Sequence, residues 1–158
     1  MTNSYLATML RLACELANGY GATLFVVDGE VLRPFIVYNL PKEYIEGVGQ
    51  IRIGTQCCGR AVEHKKPWVV RDMLNDPLFV DGRAGAEASL IRAGFSVPVM
   101  DGSKAIAALG CHYTQPHEPT KLDIERSEVF AKLIAISMRG QTTRITEPFF
   151  AWAEKAHV

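Results

Sequence analysis

Two Asp-Gly dipeptides limit the folds open to this chain. Asp28-Gly29 stands between the β-rich run Ala22 to Val27 and a second run, Val31 to Asn39. Asp101-Gly102 stands between Gly94 to Val99, which alternates like a strand, and Ala105 to Tyr113. Asp-Gly between such runs is a hairpin signal, because glycine accepts the positive φ that a tight two-residue turn requires. Two hairpins imply an antiparallel sheet. Pro34 in the second run predicts a bulge or an edge position, since proline cannot donate to a ladder.

Helical patterns flank these strands. From residue 4 to 18, Tyr5, Leu6, Met9, Leu10, Leu12, Ala13, Leu16 and Ala17 recur at three- and four-residue spacing. Asn3 or Ser4 can cap that helix, and Gly19 with Gly21 can stop it. Leu40 to Glu46 reads as a helical turn with Pro41 near its start, ended by Gly47 and Gly49, with a short strand around 50–53. Thr55 can cap a helix running to about His64, and Trp68 to Val70 is the next strand after Pro67. Thr120 to Asp123 resembles a capping box with Asp in place of Glu. It opens a long helix carrying Ile124, Val129, Phe130, Leu133, Ile134 and Ile136, which Gly140 stops. Thr146 to Glu154 could add one short amphipathic helix. Residues 72–90 are polar around Leu78, Phe79 and Val80, with a helical turn at 84–91. A long segment with its own apolar residues is expected to be a lid or binding loop.

The chain has 158 residues, enough for one domain with a real core. Lys and Arg number 17, as do Asp and Glu, so the net charge is zero. That balance argues against nucleic-acid binding and against a polybasic membrane anchor. No apolar run approaches a membrane span. The N-terminus lacks the basic and apolar regions of a signal peptide, so a cytoplasmic protein with reduced thiols is expected.

Three groups are candidates for chemistry. Cys57 and Cys58, with Arg60 and His64, fall early in a predicted helix, where the helix terminus and a nearby cation would lower a thiol pKa. The alternative is that two small thiols simply pack the strand–helix junction. Cys111 and His112 are neighbours in a strand and face opposite sides of the sheet, so they cannot easily share a metal, and no metal is expected. Arg71, Arg83 and Arg92 flank the lid with Asp72, Asp76 and Asp81. They read either as recognition of an anionic or polar ligand or as a salt-bridged loop. Trp68, Phe79, Phe95 and Tyr113 could line a pocket or serve as core.

Taken in order, these residues resemble a GAF domain, the small-molecule sensor module of bacterial signalling proteins. The resemblance covers roughly residues 4–140. It is carried by Ala22 to Asp28, Gly54 to Val62, Lys66 to Asp72, Asp76-Pro77, Ser96 to Val99, Ala108 to Gly110 and the helix from Pro119-Thr120. It implies an α+β fold with a central antiparallel sheet of about six strands. The N- and C-terminal helices would lie on one face, with a ligand pocket and lid on the other. Residues 1–140 would form the domain and 141–158 an extension.

The resemblance further implies a non-catalytic sensor that binds a small ligand between sheet and lid. It would signal through a helical homodimer interface to a histidine kinase or another signalling protein. Cys58, Trp68, Phe79, Arg83, Arg92, Ser96 and Tyr113 are the expected ligand-binding residues, and the ligand and any cofactor stay unknown. The cyclic-nucleotide signature is missing, and Cys111-His112 lies two strands beyond the bilin position. The enzymatic branch, free methionine-R-sulfoxide reductase, has a segment that aligns with Cys57 to Ala61. Its catalytic cysteine lies in the lid, and this lid has none between Asp72 and Phe95. A thiol-dependent enzyme related to that reductase is the alternative reading.

Overall fold

The computed structural model describes residues 2–139. The predicted tail helix and the extension lie outside the described residues. The first hairpin joins β1 (Gly21–Asp28) to β2 (Val31–Tyr38), and the second joins β5 (Ala93–Asp101) to β6 (Lys104–Tyr113). Gly29 and Gly102 hold φ of 64° and 60°, while the residue after each does not have positive φ. This is the sign pattern of a type II′ turn, whose first central residue is glycine. With β3 (Ile51–Arg52) and β4 (Trp68–Val70), six antiparallel strands line up in the order β3-β2-β1-β6-β5-β4. Pro34 sits where the β1–β2 register shifts between Leu24 and Phe25, so the predicted bulge is there. The short strands β3 and β4 form the two edges, although only α3 (Gln56–His64) and its flanking loops separate them in sequence. That connection therefore carries the chain from one edge to the other, with α3 over the sheet.

One face is covered by α1 (Thr2–Leu16) and α5 (Lys121–Arg139). Leu6, Met9, Leu10, Ala13 and Cys14 of α1 pack with Ala131, Ile134 and Ala135 of α5 onto Leu24, Phe95, Val97 and Leu109. The predicted capping box is formed in both directions: Asp123 N–H donates to Thr120 Oγ1 at 3.1 Å and Thr120 N–H to Asp123 Oδ2 at 2.9 Å. The start of α1 differs from expectation, since the helix begins at Thr2 and Ser4 lies inside it. Its end differs too. Asn18, not a glycine, takes the left-handed φ of 53°. Asn18 N–H bonds Glu15 O and Gly19 N–H bonds Cys14 O, a Schellman pair.

The other face carries α2 (Lys42–Val48), α3 and a lid of residues 73–92. The lid contains a 3-10 turn at Val80–Gly82 and the helix α4 (Arg83–Glu87). Gly47 was expected to end α2 but lies inside it. A Cβ on Gly47 would stand 2.5 Å from Gly85 Cα, and one on Gly85 would stand 3.0 Å from Tyr44 O. The two glycines let α2 and α4 touch backbone to backbone, which is how the lid is seated. We predict that Gly47→Ala lowers stability by about 1–2 kcal/mol, overpacking outweighing the helix-propensity gain of about 0.5–1 kcal/mol. The urea midpoint measures it, and an unchanged or raised midpoint would show that the backbones separate freely.

Candidate functional site

Alternation along the strands decides which residues face the lid. One row across five strands runs Val37, Thr23, Gly110, Ser96, Trp68, and the next runs Gly21, His112, Gly94, Val70. The centre of this floor is built from small or polar residues, where a sandwiched core would carry large apolar ones. Above it, α3 presents Cys57 and Cys58, and the lid presents Met73 and Phe79, all buried.

The polar groups converge over Gly110. The position its Cβ would occupy lies 2.7 Å from Thr23 Oγ1, 3.1 Å from His112 Cε1 and 3.4 Å from Cys58 Sγ. Cys58 Sγ and Ser96 Oγ share a hydrogen bond of 2.9 Å. Thr23 Oγ1 lies beside the same point as the sulfur and forms no hydrogen bond of ordinary geometry. Thr23 Oγ1 and His112 Nδ1 are both buried and unpartnered. The His112 ring meets the Tyr44 ring edge-on at 5.2 Å. Burial pushes the His112 pKa down to about 4, against a smaller opposing effect of the Gly21 backbone, so the ring is neutral. Gln56 completes the rim. It is buried, holds φ of 54° although it is not glycine, and sets its amide against Gly82 of the lid. A strained residue of that kind at a site boundary is held by its surroundings.

The seven residues expected to bind ligand fall into three groups. Cys58, Phe79 and Ser96 meet on the lid face, with Trp68 at its rim. Trp68 stacks on His64 at 5.0 Å and lies 5.5 Å from the Arg60 guanidinium carbon. Arg83 belongs to the lid, where one terminal nitrogen donates to Asp76 O while its buried Nε has no partner. Arg92 is turned inward on the lid's own backbone, donating from Nη1 to the carbonyls of Ala86, Ser89 and Ile91. Tyr113 is on the opposite face. It packs among the terminal helices and donates to Ala17 O at 2.8 Å. Sequence reasoning missed Thr23, Tyr44 and Gln56, and weighed His112 only as a metal ligand beside Cys111. Strand parity, which separates His112 from Cys111, also places it on the face of Gly110.

Two aspartates serve the loop itself. Asp72 Oδ1 accepts from Leu74 N–H and Asp76 Oδ1 from Leu78 N–H, two Asx turns. Arg71 pairs with Glu118 outside the lid. Met73 N–H donates to Arg92 O at 2.7 Å, which brings the two ends of the lid together.

The thiols behave differently from the expectation for a helix start. Burial drives Cys57 well above its ordinary pKa, and drives Cys58 up to about 11 although the Ser96 and Thr23 hydroxyls pull it back. Desolvation outweighs the helix terminus because both sulfurs face the sheet. Cys57 Sγ donates to Trp68 O at 3.3 Å. Neither is a ready nucleophile. Among the described residues, no group of three or more His, Cys, Asp or Glu side chains is placed to hold a metal, and no helix is long and apolar enough to cross a membrane.

The sequence model of the GAF domain matches residues 3–138. No curated protein matches the chain in sequence. Among solved structures, the chain is similar to free methionine-R-sulfoxide reductase from Neisseria meningitidis, with a TM-score of 0.72 and 18% identity over 88% of this chain and 78% of that one. It is also similar to the GAF domain of a phosphoenolpyruvate-protein phosphotransferase from Coxiella burnetii, with a TM-score of 0.75 and 13% identity over 88% and 83%. A third is a domain assigned to a two-component sensor histidine kinase protein of Sinorhizobium meliloti 1021, with a TM-score of 0.73 and 15% identity over 87% and 90%.

Proposed function

The chain belongs to the GAF domain family, and from that premise we propose that it is a non-catalytic sensor domain whose ligand binds between sheet and lid. The observation that carries this reading is the pair of unpartnered buried atoms, Thr23 Oγ1 and His112 Nδ1, beside the bare backbone of Gly110. A buried polar atom left without a partner costs roughly 1–3 kcal/mol. Two around one spot are accounted for by a ligand that hydrogen-bonds them. That ligand is small and rich in hydrogen-bonding groups, and Arg83 Nε in the lid offers a further donor. Cys58 and Phe79 fill the space in the closed state, so binding displaces the lid.

Transmission runs through the terminal helices. Tyr5, Leu12 and Leu16 of α1 and Leu122, Val129, Leu133 and Ile136 of α5 are exposed large apolar residues on helices that already pack together. Spacings of three, four and seven on α5 make a stripe that suits a homodimer of helical pairs. A histidine kinase or another signalling protein would receive the signal. A ligand shifts this system only by binding one lid state better than the other.

The test is native mass spectrometry and absorption spectroscopy of freshly purified protein, followed by a small-molecule screen read as a shift in Tm. A bound or stabilising compound is expected, and Gly110→Val, which fills the space beside Thr23, is expected to abolish its effect. A complete absence of hits from a folded protein would instead favour a dimerisation scaffold with a closed core. The enzymatic alternative draws its support from the reductase neighbours. Its assay is thioredoxin-coupled reduction of free methionine sulfoxide. Turnover abolished by Cys58→Ser would replace the sensor reading.

A further inference from the structure

The cysteines that drew attention in sequence are Cys57 and Cys58, yet the pair best placed to react with each other is Cys14 and Cys111. They come from α1 and β6 and meet on the helix-covered face, where both are buried and both are free thiols. Their proximity is fixed by Gly19. A Cβ built there would overlap Cys111 Sγ and stand 3.0 Å from Cys14 Sγ. Both sulfurs therefore lie against one point of a single backbone, so they are close neighbours. The chain holds this arrangement firmly. Gly19 N–H donates to Cys14 O at 2.9 Å, and Tyr20 N–H donates to His112 O at 2.8 Å. The end of α1 is thus tied to the end of β6 on both sides of the sulfurs.

The same corner also carries a hollow. It is open, has a volume of about 370 Å³ and is lined by Asn18, Gly19, Tyr20 and Tyr113 and by the 114–117 loop. Gly19 is therefore shared between the hollow and the sulfurs.

We propose that Cys14 and Cys111 are a redox-modifiable pair that closes to a disulfide when the protein meets a hydroperoxide. One sulfur, as thiolate, attacks the O–O bond of ROOH and becomes a sulfenic acid, while the departing alkoxide takes up a proton as ROH. The second sulfur then displaces hydroxide from the sulfenic sulfur, and that hydroxide leaves with the second thiol proton as water. Two thiols and one ROOH give one disulfide, one ROH and one water. The two electrons lost by the sulfurs reduce the peroxide bond. The neighbouring Cys14 thiol and burial hold Cys111 in its protonated form, so the reaction is slow and answers sustained oxidation. Closure shortens the S···S separation to a bond of about 2.05 Å and draws the end of α1 toward the sheet. Only the further step, from α1 to an altered helical dimer, rests on the sensor reading above.

The experiment exposes the purified full chain to hydrogen peroxide and then blocks the remaining thiols in denaturant. A non-reducing peptide map and the intact mass follow. Four blocked thiols are expected before oxidation and two after, with a loss of two hydrogens and one dominant linked peptide joining Cys14 to Cys111. Reductant restores four. Cys14→Ala, which keeps a small apolar residue at that position, is expected to lose the linked peptide. Free Cys14 and Cys111 in exhaustively oxidised native protein would overturn the proposal. So would a link that appears only in denatured samples. Sedimentation of the oxidised form reads the dimer separately, so a crosslink with unchanged self-association would count against the sensor reading and leave the pair assigned.

Discussion

Replacing Phe79 with alanine is expected to open the lid without unfolding the sheet. Phe79 is 1% exposed and is the largest side chain the lid buries. It packs in one cluster with Met73, Ala86 and Ile91 from the lid and Cys57 and Cys58 from α3. Gly82 leaves room for its ring, since a Cβ there would stand 2.6 Å from Phe79 Cζ. A buried Phe→Ala change costs about 3–5 kcal/mol. Most of that cost falls on segment 73–92, which is closed by the Met73–Arg92 bond and seated on α2 through the Gly47–Gly85 contact. Such a unit opens on its own before the whole domain unfolds. Amide exchange across the lid is expected to speed up at least about a hundredfold, while β1 and β6 keep their protection. Phe79→Leu, closer in volume, should recover most of the loss. Unchanged lid protection in Phe79→Ala would show that the lid does not depend on this anchor.

The second large effect is a pH dependence centred on His112. Its folded pKa is depressed to about 4 from an ordinary 6.5, and the cause is desolvation, with no contribution from a charged neighbour. Tyr44, Cys58 and the hydroxyl of Thr23 surround the ring, and all are neutral near pH 7. Between those two pKa values the unfolded chain binds a proton that the folded chain refuses. Stability therefore falls as pH drops through the window and is complete above it. A depression of that size corresponds to about 3 kcal/mol. The check is a urea midpoint series from about pH 7 down to about pH 4 on the natural chain and on His112→Gln. The difference between the two should grow steadily toward acid. Parallel curves would mean that His112 is hydrated or partnered in solution. A ligand that donates a hydrogen bond to Nδ1, as proposed above, should also weaken toward acid, because protonation removes the acceptor lone pair.

Local signals carried most of the fold. The Asp-Gly turns, the bulge at Pro34 and the reciprocal Thr120–Asp123 cap each depend on residues close in sequence, and each is where it was expected. Apart from the ends of α1, the departures share one origin, a partner distant in the chain. Gly47 reads as a helix stop until Gly85 is known to press against it. Cys57 and Cys58 read either as activated thiols or as packing, and the sheet beneath them, which removes their water, favours packing. The bonds of Arg92 to the carbonyls of Ala86, Ser89 and Ile91 likewise have no signal in the sequence. The site was half legible for a similar reason. Parity along β6 separates His112 from Cys111 and Tyr113, but parity alone does not say which set faces the lid. Tyr113 was assigned to the wrong side for that reason, and Thr23, a small residue in an apolar strand, drew no attention.

The outermost strands have a consequence for how copies of the chain can meet. An open sheet can recruit further strands at its margins and grow into fibres. Here the margins are β3, two residues long, and β4, three residues long. Each leaves part of the next strand uncovered, and each uncovered part contains a proline: Pro34 in β2 beyond the Leu32–Ile51 pair, and Pro98 in β5 beyond the Ser96–Trp68 pair. Proline has no N–H to offer an incoming strand. Strand-to-strand polymerisation is thus blunted at both margins.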